Sequence, residues 1–324
     1  MLYPLIMEPY FRHGEATPWG GDALSVLYGK NSPNGRTGES LEISALPGME
    51  SVVANGEHAG KALGQMIAMW GEALTGLPAG EPFPLLLKLL DAREMLSVQV
   101  HPGDDYSAAH CGKLGKTEAW VILRASPGAS IIYGVTVKDR HELENAVASG
   151  HLQSKLRRIS VSPGDVVYIP HGMVHALGEG IVVYEVQQSS DVTFRLWDWE
   201  RLGQDGRPRQ LHIDEALDVI RPELDLAVVA GEEKTCEGGR FVLYIADDNF
   251  VLRRLYVDGR MRLGFGPGFQ MVTALSPIVL EWDRGEVELC SGQSALVPAA
   301  LEGCVLSGTG EALLAQPTGK CLYR

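Results

Sequence analysis

The sequence predicts a mainly β protein of sandwich or barrel type, built as two β units with a few helices. Three observations carry this. The 38 glycines and 18 prolines cut the 324 residues into many short runs rich in Val, Ile, Leu and aromatics, each bounded by turn formers. Apolar residues at helical spacing occur in only a few places. A spacing also recurs: Gly164, Pro170 and His175 in "PGDVVYIPHGMVHALGEG" stand six and then five residues apart, as do Gly292, Pro298 and Gly303 in "SGQSALVPAALEGCVLSG". Each copy reads as turn, strand, proline-led turn, strand. The second has Ala299 and Gly303 where the first has His171 and His175, so it keeps the framework and loses the imidazoles.

In chain order, strands are expected over "LEIS" (41–44), "PLLLKLL" (84–90), "LSVQV" (96–100), "EAWVIL" (118–123) and "SIIYGV" (130–135). They continue over "RRISV" (157–161), "DVVYIP" (165–170), "IVVYEVQ" (181–187) and "VTFRLWD" (192–198). Between them, "GKALGQMIAMWGEAL" (60–74) sets Leu63, Met66, Ile67 and Trp70 at helical spacing. "DRHELENAVASG" (139–150) opens on an Asp cap and stops at a glycine. "HIDEALDVIRPEL" (212–224) reads as a helix stopped near Pro222 and makes a natural connector. After residue 238 the β texture returns in "RFVLYIA", "FVLRRLYV", "QMVTAL", "IVLEW", "EVELC" and "SALVPA". The expected division is 1–224, with helical insertions and the connector helix, and 225–324.

A net charge of −13 with no dense Lys/Arg cluster makes nucleic acid and anionic membranes poor partners. No apolar run reaches the ~18 residues of a bilayer-spanning helix. The start "MLYPLIMEPYF" lacks a basic stretch, a long apolar core and a cleavage site. Cys111, Cys236, Cys290, Cys304 and Cys321 are scattered without CxxC spacing, which suits a reducing compartment. The expected location is the cytoplasm. A small anionic substrate stays compatible if its pocket gathers the few cations locally.

The chemistry concentrates in the first unit. In "LSVQVHP" (96–102) Leu96, Val98 and Val100 point to one face of a strand and Ser97, Gln99 and His101 to the other. An amide and an imidazole two residues apart are unusual on a solvent face, and both turning inward explains them. "GKTEAW" adds Lys116 and Glu118, "PHGMVH" adds His171 and His175, and "SSDVTFRLWDWER" adds Arg195. Two neutral imidazoles, one carboxylate and an amide oxygen suit Zn²⁺ or another divalent first-row ion. Pro170 and Gly172 rule against a helix carrying both histidines, so His175, entering the next strand, is the better ligand and His171 an exposed turn residue. Without further context, Arg195 reads as an exposed strand cation paired with Asp191 or Asp198. "GFGPGF" (264–269) imitates a phosphate loop but contains a proline and has no following helix. Ser162 and Ser189 lack a nucleophile elbow.

The stretch "GDVVYIPHGMVH" (164–175) matches the second cupin motif, G-x5-P-x-G-x2-H. More specifically, the chain resembles the type I mannose-6-phosphate isomerases in their short bacterial form. The resemblance rests on "WGG" (19–21), "GESLEIS" (38–44), "PFPLLLKLLDAREMLSVQVHP" (82–102), "GKTEAW" (115–120), "IPHGMVHALGEGIVVYEVQQSSDVTFRLWDWER" (169–201) and "RQLHIDEAL" (209–217). It implies two cupin-type jelly-roll β-barrels, the second degenerate, and a metal-dependent interconversion of mannose 6-phosphate and fructose 6-phosphate. One Zn²⁺ per chain would be held by His101, Glu118 and His175, with Gln99 a further ligand or a supporting residue. Arg195 and Lys116 would be catalytic, and Lys88 would join them in binding substrate. Monomer and homodimer both fit. Arg93 and Met95 stand where the family more often has asparagine and lysine, and His171 where a small residue is usual.

Aldose–ketose isomerisation needs a base near the carbon acid and positive charge near the oxygens where negative charge builds. Two other classes use similar residues: a cupin oxygenase with an Fe(II) facial triad, and a sugar-phosphate-binding cupin without catalysis. Lys116 and Arg195 weigh against the first, since an uncharged substrate needs neither, and the full ligand set weighs against the second.

Overall fold

The computed structural model describes residues 1–137, 139–203 and 206–318. The nine strands expected in the first 200 residues all form: Thr37–Ile43, which starts four residues before "LEIS", and, within two residues of their sequence bounds, Leu85–Ala92, Val98–Val100, Glu118–Ala125, Ser130–Val135, Leu156–Ser160, Val166–Ile169, Ile181–Gln188 and Phe194–Trp197. The chain is mainly β, 41% strand and 17% helix. It divides into two compact units: Phe11–Ser40 with Leu89–Val229, and Met1–Tyr10 with Leu41–Lys88 and the chain from Ala230 on.

In the first of these units, Glu118–Ala125 pairs antiparallel with Val166–Ile169 on one side and Ile181–Gln188 on the other. A second sheet runs in the order Phe194–Trp197, Val98–Val100, His175–Ala176, Ser130–Val135, Leu156–Ser160. One core cluster draws Trp120, Ile122, Val167 and Val183 from the first sheet and Ile131 and Tyr133 from the second, so the two sheets face each other across it. The other face of the second sheet packs Val98, Val100 and Ile132 against Leu143 and Ala216, on the helices Arg140–Ala148 and Ile213–Val219. This resolves "LSVQVHP": its valines face the helices, and its polar face looks into the space between the sheets.

Local chemistry sets the helix ends. Asp139 caps Arg140–Ala148 by accepting from the His141 backbone N–H at 2.9 Å. The helical run 60–74 splits into Leu63–Trp70 and Glu72–Thr75 at Gly71, whose φ of 49° suits glycine. Asp104–Cys111 is a helix the sequence reading missed. Its apolar residues show no stripe, and two acids in its first turn support it instead. The glycines of "WGG" answer to close packing: a Cβ on Gly20 would fall 2.5 Å from the Gly38 nitrogen, and one on Gly21 2.5 Å from Asp91 Oδ2.

The second unit has its own sheet and core. Phe250–Arg262 pairs with Val305–Pro317, which pairs with Gln270–Ala274, then Ser294–Val297, then the N-terminal strand Leu5–Glu8. Leu255, Val272, Leu280, Ala295, Leu306 and Leu314 fill it. No described helix is long and apolar enough to cross a membrane.

Candidate metal centre

Strand register builds the centre. His175 lies opposite Gln99, and Gln99 opposite Arg195, so the three form one row across neighbouring strands and point to one face. His101 follows two residues after Gln99 on the same face. Glu118 comes from the opposing sheet, at the start of its strand and in register with Ile169 and Gln187. Gly172, in the turn before His175, donates its backbone N–H to the His101 carbonyl at 2.9 Å and so ties the two histidine segments together.

These side chains converge. His175 Nε2 is 3.3 Å from Glu118 Oε1, and His101 Nε2 is 3.5 Å from Glu118 Oε2. The three ligand atoms all lie within 4.8 Å of one another, on residues that are 0–1% exposed. A tetrahedral ion with bonds of about 2.0–2.1 Å sets its ligand atoms about 3.3–3.4 Å apart, so these spacings fit zinc. Neither Glu118 oxygen has a well-directed hydrogen bond among the described residues, an expensive state for buried acceptors that a cation would relieve. His175 Nδ1 stands 2.9 Å from the Met173 carbonyl; donating to it leaves Nε2 as the free lone pair. Trp120 packs edge-on against the His175 ring, with centroids 5.5 Å apart.

The protonation states suit a cation. Burial, and then the Lys116 charge, push His101 well below the ordinary imidazole range and keep it neutral. Burial alone would raise the Glu118 carboxyl, but Lys116 and the two imidazoles outweigh it and hold the group well below the usual carboxylate range.

Lys116 is buried, with Nζ 3.0 Å from Glu118 Oε2 and 3.1 Å from His101 Nε2. Gln99 Nε2 lies 3.3 Å from His175 Nε2, and Gln99 Oε1 accepts from Ser97 Oγ at 3.4 Å. A half-turn of that amide presents Oε1 to the centre, and the Ser97 hydroxyl can then accept from the amide nitrogen. Arg195 continues the chain of contacts. Its Nε donates to Ser97 Oγ at 3.3 Å and its Nη1 to the Gln210 carbonyl at 2.7 Å. It is half-buried, and the carboxylates expected to pair with it bind other cations: Asp191 bonds Lys113 at 2.5 Å, and Asp198 bonds Arg209 at 2.5 and 2.6 Å. Burial lowers the guanidinium pKa, and Arg209 and Arg12 push the same way against Asp198. Arg195 thus stands in a cation-rich corner that suits an anion.

Lys88 is buried in the strand Leu85–Ala92 and belongs to the other compact unit. His171 is exposed in the turn. Ser97, Trp120 and Glu185 were not singled out from the sequence. Glu185 is buried in register with Trp120 and accepts its indole N–H at 2.8 Å, on the face that carries Glu118. An acid inside the apolar run "IVVYEVQ" was the signal available for it.

Several known proteins resemble this chain. A model of the type I phosphomannose isomerase catalytic domain matches residues 13–120. A probable mannose-6-phosphate isomerase of Bacillus subtilis is 36% identical over 322 residues, 98% of this chain and 100% of that protein. A crystal structure of the mannose 6-phosphate isomerase from Bacillus subtilis superposes with a TM-score of 0.90 at 32% identity, over 97% of this chain and 99% of that one. A zinc-bound mannose 6-phosphate isomerase shares the fold at a TM-score of 0.79 and 17% identity, over 97% of this chain and 99% of that one.

Proposed function

Since the chain belongs to the type I phosphomannose isomerase family, we propose that it interconverts mannose 6-phosphate and fructose 6-phosphate through an enediol, with zinc held by His101, Glu118 and His175. The observation that carries this reading is the buried His–Glu–His cluster with a lysine against it and, in the same row, an arginine that bonds no carboxylate among the described residues. Zinc bound there supplies a Lewis acid for the carbonyl and hydroxyl oxygens of the sugar. Gln99 supports the cluster as a further ligand or through His175. Lys116, held against Glu118 and His101, places its ammonium at the reacting end, where it stabilises charge building on the enediolate oxygens. Arg195 stands two strand spacings from His175, about 9–10 Å along the row, and its fixed fork suits the phosphate.

The chemistry is assigned to residues within 1–224, with 225–324 as the degenerate copy. The same reading places the enzyme in the cytoplasm, acting on a dissolved sugar phosphate and not on nucleic acid or lipid, which its charge of −13 supports. A coupled assay of fructose 6-phosphate formation from mannose 6-phosphate tests it. Activity should vanish on chelation and return with added Zn²⁺. A purified, folded protein that stays inactive with zinc restored refutes the reading.

A further inference from the structure

Lys116 lies in a segment, 112–117, that is neither helix nor strand, so no ladder of backbone bonds fixes where its ammonium stands. Side chains grip the segment instead. Asp104 Oδ1 accepts the Gly115 N–H at 2.9 Å, and Gln188 Oε1 accepts the Thr117 N–H at 2.9 Å. Gln188 Nε2 donates to that same Asp104 oxygen at 2.9 Å, closing a bridge between the residues on either side of the lysine. Within the bridge, the Lys116 N–H donates to the carbonyl of Pro102, the residue after His101, at 3.0 Å. Ser107 Oγ donates to the Leu114 carbonyl at 2.8 Å, and the Gln188 N–H to the Thr117 carbonyl at 3.0 Å. The approach is close: a Cβ on Gly115 would fall 2.6 Å from the Asp104 nitrogen.

These contacts give the helix Asp104–Cys111 a purpose that its apolar residues do not, since it supplies both Asp104 and the buried Ser107. Gln188 is buried too and uses both ends of its amide on the bridge, the condition under which a buried amide is tolerated. The metal ligands have other supports. Glu118 is set by its ladder with Ile169 and Gln187, and His175 by pairing with Gln99. What the bridge adds is the place of the ammonium, against Glu118 and His101. We propose that Gln188 and Asp104 are positioning residues for Lys116, acting on the isomerisation through the lysine and not through the metal. The proposal rests on the charge-stabilising role given to Lys116 above.

A double-mutant cycle on zinc-loaded protein, read in the coupled assay, tests it. Gln188→Met removes both amide bonds, and Asp104→Ala removes the shared acceptor. Each should lower kcat about 10- to 100-fold, the reach of a misplacement of about 1 Å, with KM moving less than about twofold and zinc content unchanged. Asp104→Asn, which keeps an acceptor oxygen, should restore most of kcat. Lys116→Met should lower kcat by itself, and adding Gln188→Met should then change the residual kcat less than about twofold. In metal-free protein, amide hydrogen exchange at 115–117 should quicken in Gln188→Met while the strand Glu118–Ala125 stays protected. Asp104 is only half-buried, so its variant carries the test where Gln188→Met does not fold. Parental kcat in both single variants overturns the proposal. So does an equal loss with and without Lys116, a loss that follows zinc, or unchanged exchange at 115–117. Parental kcat in Lys116→Met alone refutes the role of the lysine itself, and so separates failure of that reading from failure of the bridge.

Discussion

Replacing Glu118 by Gln keeps the side chain's shape and removes one charge, so it isolates what that charge does. At 3.0 Å the Lys116–Glu118 attraction is about 5–6 kcal/mol at an effective dielectric constant of roughly 20. The amide oxygen of the variant can still accept a hydrogen bond from the ammonium, returning about 1.5–3 kcal/mol. The net loss, about 3–4 kcal/mol, matches what stripping one partner from a buried pair costs. Urea unfolding of chelated Glu118→Gln should therefore show a loss of that size. Adding Lys116→Met, which removes the stranded ammonium and keeps the volume, should restore most of it. Zinc content after dialysis should fall from one per chain to near none in both variants. A double variant no more stable than Glu118→Gln, or a Glu118→Gln protein that still carries a full zinc, refutes the account of the cluster.

Four further outcomes are expected. Arg195→Ala should keep its zinc and lose about 10²–10³-fold in kcat/KM, the usual worth of one preorganised charge donor; His175→Ala should lose metal and activity together, read by metal analysis beside the coupled assay. Burial raises the Asp91 carboxyl above its unfolded value of 3.8, so the stability it contributes is present below that value and lost as pH rises through the folded one. Asp91→Asn, titrated by denaturant, should gain on the parent protein across that rise and not below it. Burial pushes the Cys304 thiol up to about 11, whereas Cys290 is exposed. A disulfide reagent near neutral pH should modify Cys290 and spare Cys304 until the chain unfolds, as peptide mass mapping would show.

What was legible in the sequence was local. Short β-branched runs between glycines and prolines mark strands whatever their partners, which is why nine of them fall where the first 200 residues suggest. The residues of the cluster were visible as residue types, and their placement followed from the family resemblance. The row His175–Gln99–Arg195 was not visible, because pairing register belongs to contacts between strands far apart in sequence. Glu185 was missed for the same reason: its acid reads as an interruption of an apolar run until Trp120 is seen opposite it. The helix Asp104–Cys111 has no apolar stripe to betray it, since only Ser107 of its residues is buried.

Burying these groups needs a reason, and the repeat supplies one. A lysine, a carboxylate and two imidazoles inside a sandwich cost more than the Val, Ile or Leu that could fill the same volume. Were the cluster only a structural network, both copies of the repeat would have equal cause to keep it. They differ instead at the positions that face the interior. Glu118 pairs with Ile169, just before Pro170, and Gln270 pairs with Val297, just before Pro298, so where one copy has Glu118 and His175 the other has Gln270 and Gly303, and Gln270 carries no charge into its core. The framework residues, a glycine, a proline six later and the strand between them, persist in both, so the fold does not require the charges. Their presence beside Arg195, and not in the other copy, is what the isomerisation proposed for this cluster would account for.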